Sequence, residues 1–413
     1  MRPAGRAGVL HGPFHGGADV LLPQSPGRLH PAPWWRIRLP RRAAPFPHRN
    51  PHPQTTMTIL ITGGLGFIGS AVVRRLLATT EEVVVNLDAE TYAASREALA
   101  GLYADRRHVH VKADVADAEA VAAIFARFRP RAVMHLAAES HVDRSIDGPA
   151  AFIRTNVVGT QVLLEAARAH WQALPAAERA AFRFHHVSTD EVFGALGPED
   201  PPFHPGTRYD PRSPYAASKA ASDHLVRAWA HTYGLPAFVS NTTNNYGPWQ
   251  FPEKLIPLIT LNALEGKPLP VYGTGENIRD WIHVEDHAEA LLLALFHGQP
   301  GATYCFGARQ ERRNIEVVRA ICRILDRLRP DPAGPRERLI TFVPDRPGHD
   351  FRYAMDPSAS EAALGWRARF SFEEGLEHTL RWYLENESWW RPIRARRYGG
   401  ERLGLAAEAA HGR

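Results

Sequence analysis

Tyr215 and Lys219 stand four positions apart in the segment S-P-Y-A-A-S-K. On a helix, positions i and i+4 share a face, so both groups can point into one cleft. A free phenol has a pKa of about 10 and is a poor base at neutral pH. An ammonium beside it, together with the positive ring of a bound cofactor, favours the phenolate and lowers that pKa. The spacing is common by chance, so it needs support from elsewhere. Thr189-Asp190-Glu191 gives it: a hydroxyl able to hydrogen-bond a reacting oxygen, followed by two adjacent carboxyls. Neighbouring carboxyls disfavour double ionisation, so one tends to stay protonated and the pair can serve as acid and base. The plainer reading is that the two acids cap a turn.

A glycine motif lies upstream. Residues 62–69 read T-G-G-L-G-F-I-G, with Gly63, Gly66 and Gly69 as G-x-x-G-x-x-G between an apolar run and a helical pattern that opens with Phe67 and Ile68. Glycines let the backbone turn tightly and approach a pyrophosphate, and the helix N-terminus offers free N–H donors. Asp88 closes the next strand pattern 19 residues after Gly69. An acid there can bond a ribose 2′-hydroxyl and repels a 2′-phosphate, which favours NAD over NADP. Asp114, in K-A-D-V, is a candidate for the adenine side, and the small residues Ala137 and Ala138 permit close approach of a flat ring.

The elements that must position these groups alternate. Strands are expected over 58–62, 83–88, 109–114, 132–138, 182–189 and 237–241. Helices are expected over 67–78, 117–128 (Asp117 as N-cap), 149–170 and 214–233, with Gly234 after the last. Strand–helix alternation implies a parallel sheet covered on both faces. The fold class expected is α/β, a Rossmann-type doubly wound parallel sheet with a smaller C-terminal substrate-binding lobe. The NAD-binding domain is expected over 57–243. The lobe is expected over 244–395, with some segments returning to the sheet and short helices near 255–264 and 314–327. Residues 396–413 read as a flexible tail.

The fingerprint, Thr189 at a strand end and the Tyr215/Lys219 pair together resemble the extended short-chain dehydrogenase/reductase family. That resemblance implies oxidation of a sugar hydroxyl, with Tyr215 taking the O–H proton, Lys219 holding the ribose hydroxyls and Thr189 bonding the sugar oxygen. Further stretches resemble the dTDP-glucose 4,6-dehydratases of that family. They are A-E-S-H-V-D-R-S (138–145), N-N-Y-G-P-W-Q-F-P-E-K-L-I-P (244–257), I-R-D-W (278–281) and D-R-P-G-H-D (345–350). By this resemblance Asp190 is the acid at C6 and Glu191 the base at C5. NAD oxidises C4, is reoxidised at C6 and stays tightly bound. Thr91, Val115, Leu136, Ser140, Thr155 and Asn244 become further cofactor contacts. Substrate contacts are Ser140, Thr189, Asn244, Asn245, Lys254 and Leu255, then Pro270, Tyr272, Arg279, Arg346 and His349. Guanidinium forks match diphosphate oxygens, which agrees for Arg279 and Arg346. The expected substrate is dTDP-glucose, in deoxysugar biosynthesis of the dTDP-rhamnose type. A homodimer through a four-helix interface is also implied, formed by 149–170 and 214–233. Tyr304-Cys305-Phe306-Gly307 departs from the asparagine that relatives carry in this stretch, taking an amide from the nucleotide side.

Two alternatives compete. A relative acting on a UDP- or GDP-sugar as epimerase, decarboxylase or different dehydratase would share the fingerprint, but an epimerase has no use for the Asp190–Glu191 pair. A dinucleotide-sensing protein would not need five reactive groups together.

The bulk properties set outer limits. Of the formal +5 charge, residues 1–56 carry eight arginines against one acid, so the body from Met57 onward is mildly acidic and no nucleic-acid partner is implied. That first segment also holds 11 of the 34 prolines and is expected to be disordered. Met57 has the look of a natural initiator. Two cysteines in 413 residues make no disulfide framework, so a reducing cytoplasm is expected. No apolar run approaches a membrane span, and no metal is expected.

Overall fold

The computed structural model describes residues 57–401 and 403; the disorder expected of residues 1–56 and the end of the expected tail lie outside them. The strands in chain order are β1 (Thr58–Thr62), β2 (Val83–Asp88), β3 (His108–Lys112), β4 (Ala132–His135), β5 (Arg183–Thr189), β6 (Ala237–Thr242) and β7 (Asn244–Tyr246). There follow β8 (Leu269–Tyr272), β9 (Ile278–His283), β10 (Thr303–Phe306), β11 (Glu311–Arg313), β12 (Ile340–Val343) and β13 (Arg352–Tyr353).

Seven strands form the main sheet in the order β10-β6-β5-β4-β1-β2-β3, all parallel. Ile59, Leu60 and Ile61 of β1 are fully buried, as a central parallel strand requires when both faces are covered. Each such side chain contributes about 1.5–3 kcal/mol of apolar transfer energy. Helices Phe67–Thr79 and Val284–His297 cover one face, and Ala118–Phe128, Gly159–Ala173 and Pro214–Tyr233 cover the other. The strand order reverses between β1 and β4, which opens a crevice at their carboxyl ends. No helix among the described residues is long and apolar enough to cross a membrane.

β10 joins the sheet although it follows residue 244, so the chain leaves the sheet and comes back. The excursion builds a second, mixed sheet of β11-β9-β13 with β7 on β9, and a parallel pair β8–β12. Its own core gathers Ile256, Ile259, Leu269, Val318, Ile321 and Leu376.

Three expected elements change by more than a single residue. β4 stops at His135 because Leu136–Ala138 leaves the ladder to wall the crevice. β3 stops at Lys112, leaving Asp114 on the turn beyond it. The helix expected over 149–170 is α-helical at Pro149–Phe152, π-helical at Ile153–Val158 and α-helical again at Gly159–Ala173. The π turn carries Thr155 to the crevice and Asn156 inward, where its amide bonds both Ser218 Oγ (2.8 Å) and the backbone of Glu139.

Candidate active site

The crevice is a cavity of about 360 Å³ that runs from the glycine turn to the end of β5. Gly63 sits at φ +73°, and a Cβ on it would lie 2.7 Å from the Ala137 amide nitrogen. A Cβ on Gly69 would lie 2.1 Å from the Gly63 carbonyl oxygen. Only glycine lets the turn, the helix start and the 136–138 segment come this close. Helix Phe67–Thr79 begins at Gly66 with no side-chain cap and no acid in its first turn, so its N-terminus faces the cavity uncompensated. Asp88 lies at the rim and is braced by the amides of Leu65 (2.9 Å) and Glu90 (2.8 Å). An open N-terminus, a cradle a Cβ would fill and a fixed acid suit a dinucleotide. Phe67, Ile68, Thr91, Asp114, Val115, Leu136, Ala138, Ser140, Thr155 and Asn244 line the same cavity.

Thr189, Asp190, Glu191, Tyr215 and Lys219 meet at its far end. Thr189 closes β5. Ser213 caps helix Pro214–Tyr233 by accepting from Ala216 N, so Tyr215 falls in the first turn and Lys219 one turn on, over the strand end. Thr189 Oγ1 donates to Asp190 Oδ1 at 3.1 Å and accepts from Glu191 N at 3.3 Å. The plainer reading of the sequence is thus half met, since the acids do open a short 3₁₀ turn, but they do so inside the cavity.

The electrostatics separate the two acids. Burial, then the nearby Glu191, push the Asp190 carboxyl well above the usual carboxylate range. Burial raises Glu191 as well, but Arg346, Lys254 and Arg279 pull against it. Burial draws Lys219 down to about 8, opposed by Asp223. For Tyr215 the expectation rests on Lys219 and a cofactor's positive ring together, and the protein's own groups act the other way. Its pKa is raised, by burial and by Glu191, rather than lowered. Lys219 Nζ donates to Val187 O at 2.9 Å and lies 3.4 Å from His186 Nε2. The phenolate needs a further positive charge from whatever fills the cradle.

A second cavity, of about 460 Å³, meets the first at Glu191, Asn244, Glu253 and Lys254. Leu255, Pro270, Tyr272, Arg279, Arg346 and His349 line it. Asp143 organises one wall, accepting from Tyr272 OH (3.0 Å) and Arg346 Nη1 (3.3 Å). The Arg346 Nε is buried without a partner. Arg279 is tied more tightly, donating to the carbonyls of Ile278, Phe351 and Asp350 over the Tyr353 ring. His349 is held by Asp345 at 2.6 Å, and burial with Arg346 pushes its imidazole down to about 4. The Lys254 ammonium donates to Ser140 O at 2.8 Å.

Asn245 and Cys305 differ from their expected places. The Asn245 side chain is spent inside the protein, on Thr242, Thr243 and His287, so it lines the first cavity as a brace. Cys305 is fully buried on β10, packed with Val192, Phe193 and Met355, and lines neither cavity. An amide at that position would not face the nucleotide side. Asn314 was not anticipated: it lines the second cavity with a buried, unpartnered Oδ1. Its only signal in the sequence was its place at the start of a helix. Asp143 sat within the A-E-S-H-V-D-R-S stretch without an assigned role.

Known proteins resemble this chain over most of its length. Residues 60–379 match the family profile described as GDP-mannose 4,6 dehydratase. A dTDP-glucose 4,6-dehydratase of Escherichia coli is 56% identical over 360 residues, covering 84% of this chain and 99% of that protein. That of Neisseria meningitidis serogroup B is 56% identical over 349 residues, covering 84% and 98%. The dTDP-glucose 4,6-dehydratase of Streptomyces venezuelae, solved with NAD bound, superposes with a TM-score of 0.74 at 43% identity, over 82% of this chain and all of that one.

Proposed function

The chain belongs to the GDP-mannose 4,6 dehydratase family, and from that premise we propose that it converts dTDP-glucose to dTDP-4-keto-6-deoxyglucose and water as an NAD-dependent hydro-lyase of deoxysugar biosynthesis. The observation that carries this is the meeting of Thr189, Asp190, Glu191 and Tyr215 at one end of the first cavity, with Glu191 lining the second cavity as well.

NAD held in the glycine cradle would supply oxidation at C4 and the hydride that returns to C6, and Glu191 then gives a proton back to C5. The protein does the rest. Asp88 fixes the adenosine ribose, Lys219 the nicotinamide ribose. Arg346 and Arg279 take the diphosphate; Tyr272, His349 and Asn314 border the nucleotide; the lobe over 244–395 is assigned to substrate. Tyr215 accepts the C4 hydroxyl proton while Thr189 holds that oxygen. With C4 a ketone, the C5 proton is acidic, and Glu191, the acid facing three cations, removes it. Asp190, kept protonated by burial, gives its proton to the C6 hydroxyl as water leaves. The environments push the two carboxyls apart in the sense these roles require.

We further infer a homodimer. Ile153 and Val158 are 49% and 43% exposed on the helical run 149–173, an apolar face suited to a second copy in a four-helix contact with 214–233. The two cysteines are free and buried, which fits a reducing cytoplasm.

The test is mass spectrometry of the products from dTDP-, UDP- and GDP-hexoses. Loss of one water from dTDP-glucose, with little from the others, supports the reading. A 4-epimer of unchanged mass, or tight NAD binding without turnover of any sugar nucleotide, overturns it.

A further inference from the structure

Behind Lys219 lies a row of buried polar groups that the chemistry above does not use. His186, on β5, and Asp223, one turn beyond Lys219 on the same helix, are 1% and 0% exposed. His186 Nε2 is 3.4 Å from Lys219 Nζ and 3.2 Å from Asp223 Oδ1. Asp223 Oδ2 accepts from Ser188 Oγ (2.9 Å), Tyr209 OH (2.8 Å) and Asn241 Nδ2 (3.3 Å).

We propose that His186 and Asp223 are positioning residues for Lys219, holding its ammonium charged and turned so that its one remaining N–H faces the cofactor cradle and Tyr215. An ammonium has three N–H donors. Val187 O takes one and His186 Nε2 stands to take another, which leaves one for the cavity that Lys219 lines. A buried carboxylate is costly unless it is paired, and apolar residues would fill this space more cheaply. Burial works against the Asp223 carboxylate, but His186, Lys219 and the Tyr209 hydroxyl together hold it below the usual carboxylate range, and it is the group that opposes the pull of burial on Lys219.

His186 adds a constraint. Its Nε2 cannot donate to Asp223 and accept from Lys219 at once. Its Nδ1 is buried without a partner, so the tautomer is decided at Nε2 alone, where the Asp223 carboxylate and the Lys219 ammonium compete. The tautomer with the proton on Nδ1 serves Lys219; the other releases it. The remaining titratable groups around this row are His135 on β4, with its ring 5.1 Å from that of His186, Tyr209 on the loop after β5, bonded to Asp223, and Asp190, Glu191 and Tyr215, which line the same cavity as Lys219.

This inference rests on the dehydratase reading, and its test has an arm that does not. Asp223→Asn, His186→Leu and His186→Gln are compared with the wild type, each for kcat and KM against pH and for NAD affinity of the apoprotein against pH. With Asp223→Asn and His186→Leu, kcat falls about tenfold or more near pH 8 and KM for dTDP-glucose changes by less than about twofold. The alkaline limb of both activity and NAD affinity moves down by about one pH unit. Glutamine can accept from Lys219 and donate to Asp223 together, so His186→Gln recovers most of the lost rate. Unshifted limbs in Asp223→Asn and His186→Leu overturn the proposal, as does a glutamine variant no better than leucine. If Asp223→Asn does not fold, the two His186 variants read the same limb. A wild type that ignores dTDP-glucose overturns the function alone, because the NAD-affinity limb is still measured.

Discussion

Asp190 and Glu191 are neighbours in sequence, yet their carboxyls meet unlike surroundings. Asp190 takes one hydrogen bond, from Thr189 at 3.1 Å, and its Oδ2 is buried without a partner. Glu191 opens on the second cavity, where Arg346, Lys254 and Arg279 oppose the effect of burial. Both are raised, but Asp190 is held well above the usual range as an acid, while three cations limit the rise at Glu191. Asp190→Asn and Glu191→Gln should therefore fail at different points. Both lose about 10²–10⁴ in kcat, the span a positioned acid or base supplies. Asp190→Asn still exchanges the C5 proton with solvent; Glu191→Gln does not. Proton NMR of the substrate recovered from deuterated water separates the two.

The same burial makes Asp190 a cost to stability. Its folded pKa is raised, so the native state holds a proton that the unfolded chain releases. Native protein then binds more protons, and stability falls as pH rises from the ordinary carboxylate range through the raised value. Asp190→Asn removes that penalty. Its Tm should exceed the wild type's at pH 8, with the gap closing toward pH 4. Calorimetry at both values checks this; a gap that does not depend on pH contradicts it.

Much of this site was legible beforehand because its parts are local. A glycine turn, a strand-end threonine and a Tyr-x-x-x-Lys pair announce themselves within a few residues, and the strand–helix alternation dictates where they meet. What stayed hidden is three-dimensional. The π turn at 153–158 needs Gly159 against Val115, where a Cβ would come within 2.7 Å, and Asn156 turned inward. The engagement of Lys219 by His186 depends on groups 33 residues apart. Cys305 looked like a missing nucleotide contact because a motif cannot say which face of a strand its residue occupies.

Tyr92 OH donates to Glu253 Oε1 at 2.9 Å, and Arg144 bonds the other oxygen at 2.8 Å while lying over the Tyr92 ring. This ties the segment after β2, which lines the cofactor cavity, to the segment where the two cavities meet. Tyr92→Phe breaks the link and leaves the ring. Dissociation of NAD, followed by fluorescence after dilution, should quicken by about five- to tenfold, the worth of a charge-assisted hydrogen bond of about 1 kcal/mol or more. An unchanged off-rate would leave the tie without a role in retention.

Arg346 lines the second cavity and keeps a buried, unpartnered Nε. Arg346→Lys removes the planar fork and keeps the charge, so KM for dTDP-glucose should rise by about tenfold or more with a smaller change in kcat. Steady-state kinetics decides it. The reverse pattern, a fall in kcat with KM unchanged, would place Arg346 at the reacting carbons instead.

The central claim is that oxidation, elimination and reduction occur on one bound hexose between Tyr215, Glu191 and Asp190. It is tested most directly by turning over dTDP-glucose deuterated at C4 in ordinary water, and unlabelled substrate in deuterated water, with NMR of both products. The expected result is the C4 label on the C6 methyl group in the first case and solvent deuterium at C5 in the second. A product whose C4 label is retained at C4 or lost to solvent, with no deuterium gained at C5, would contradict the account.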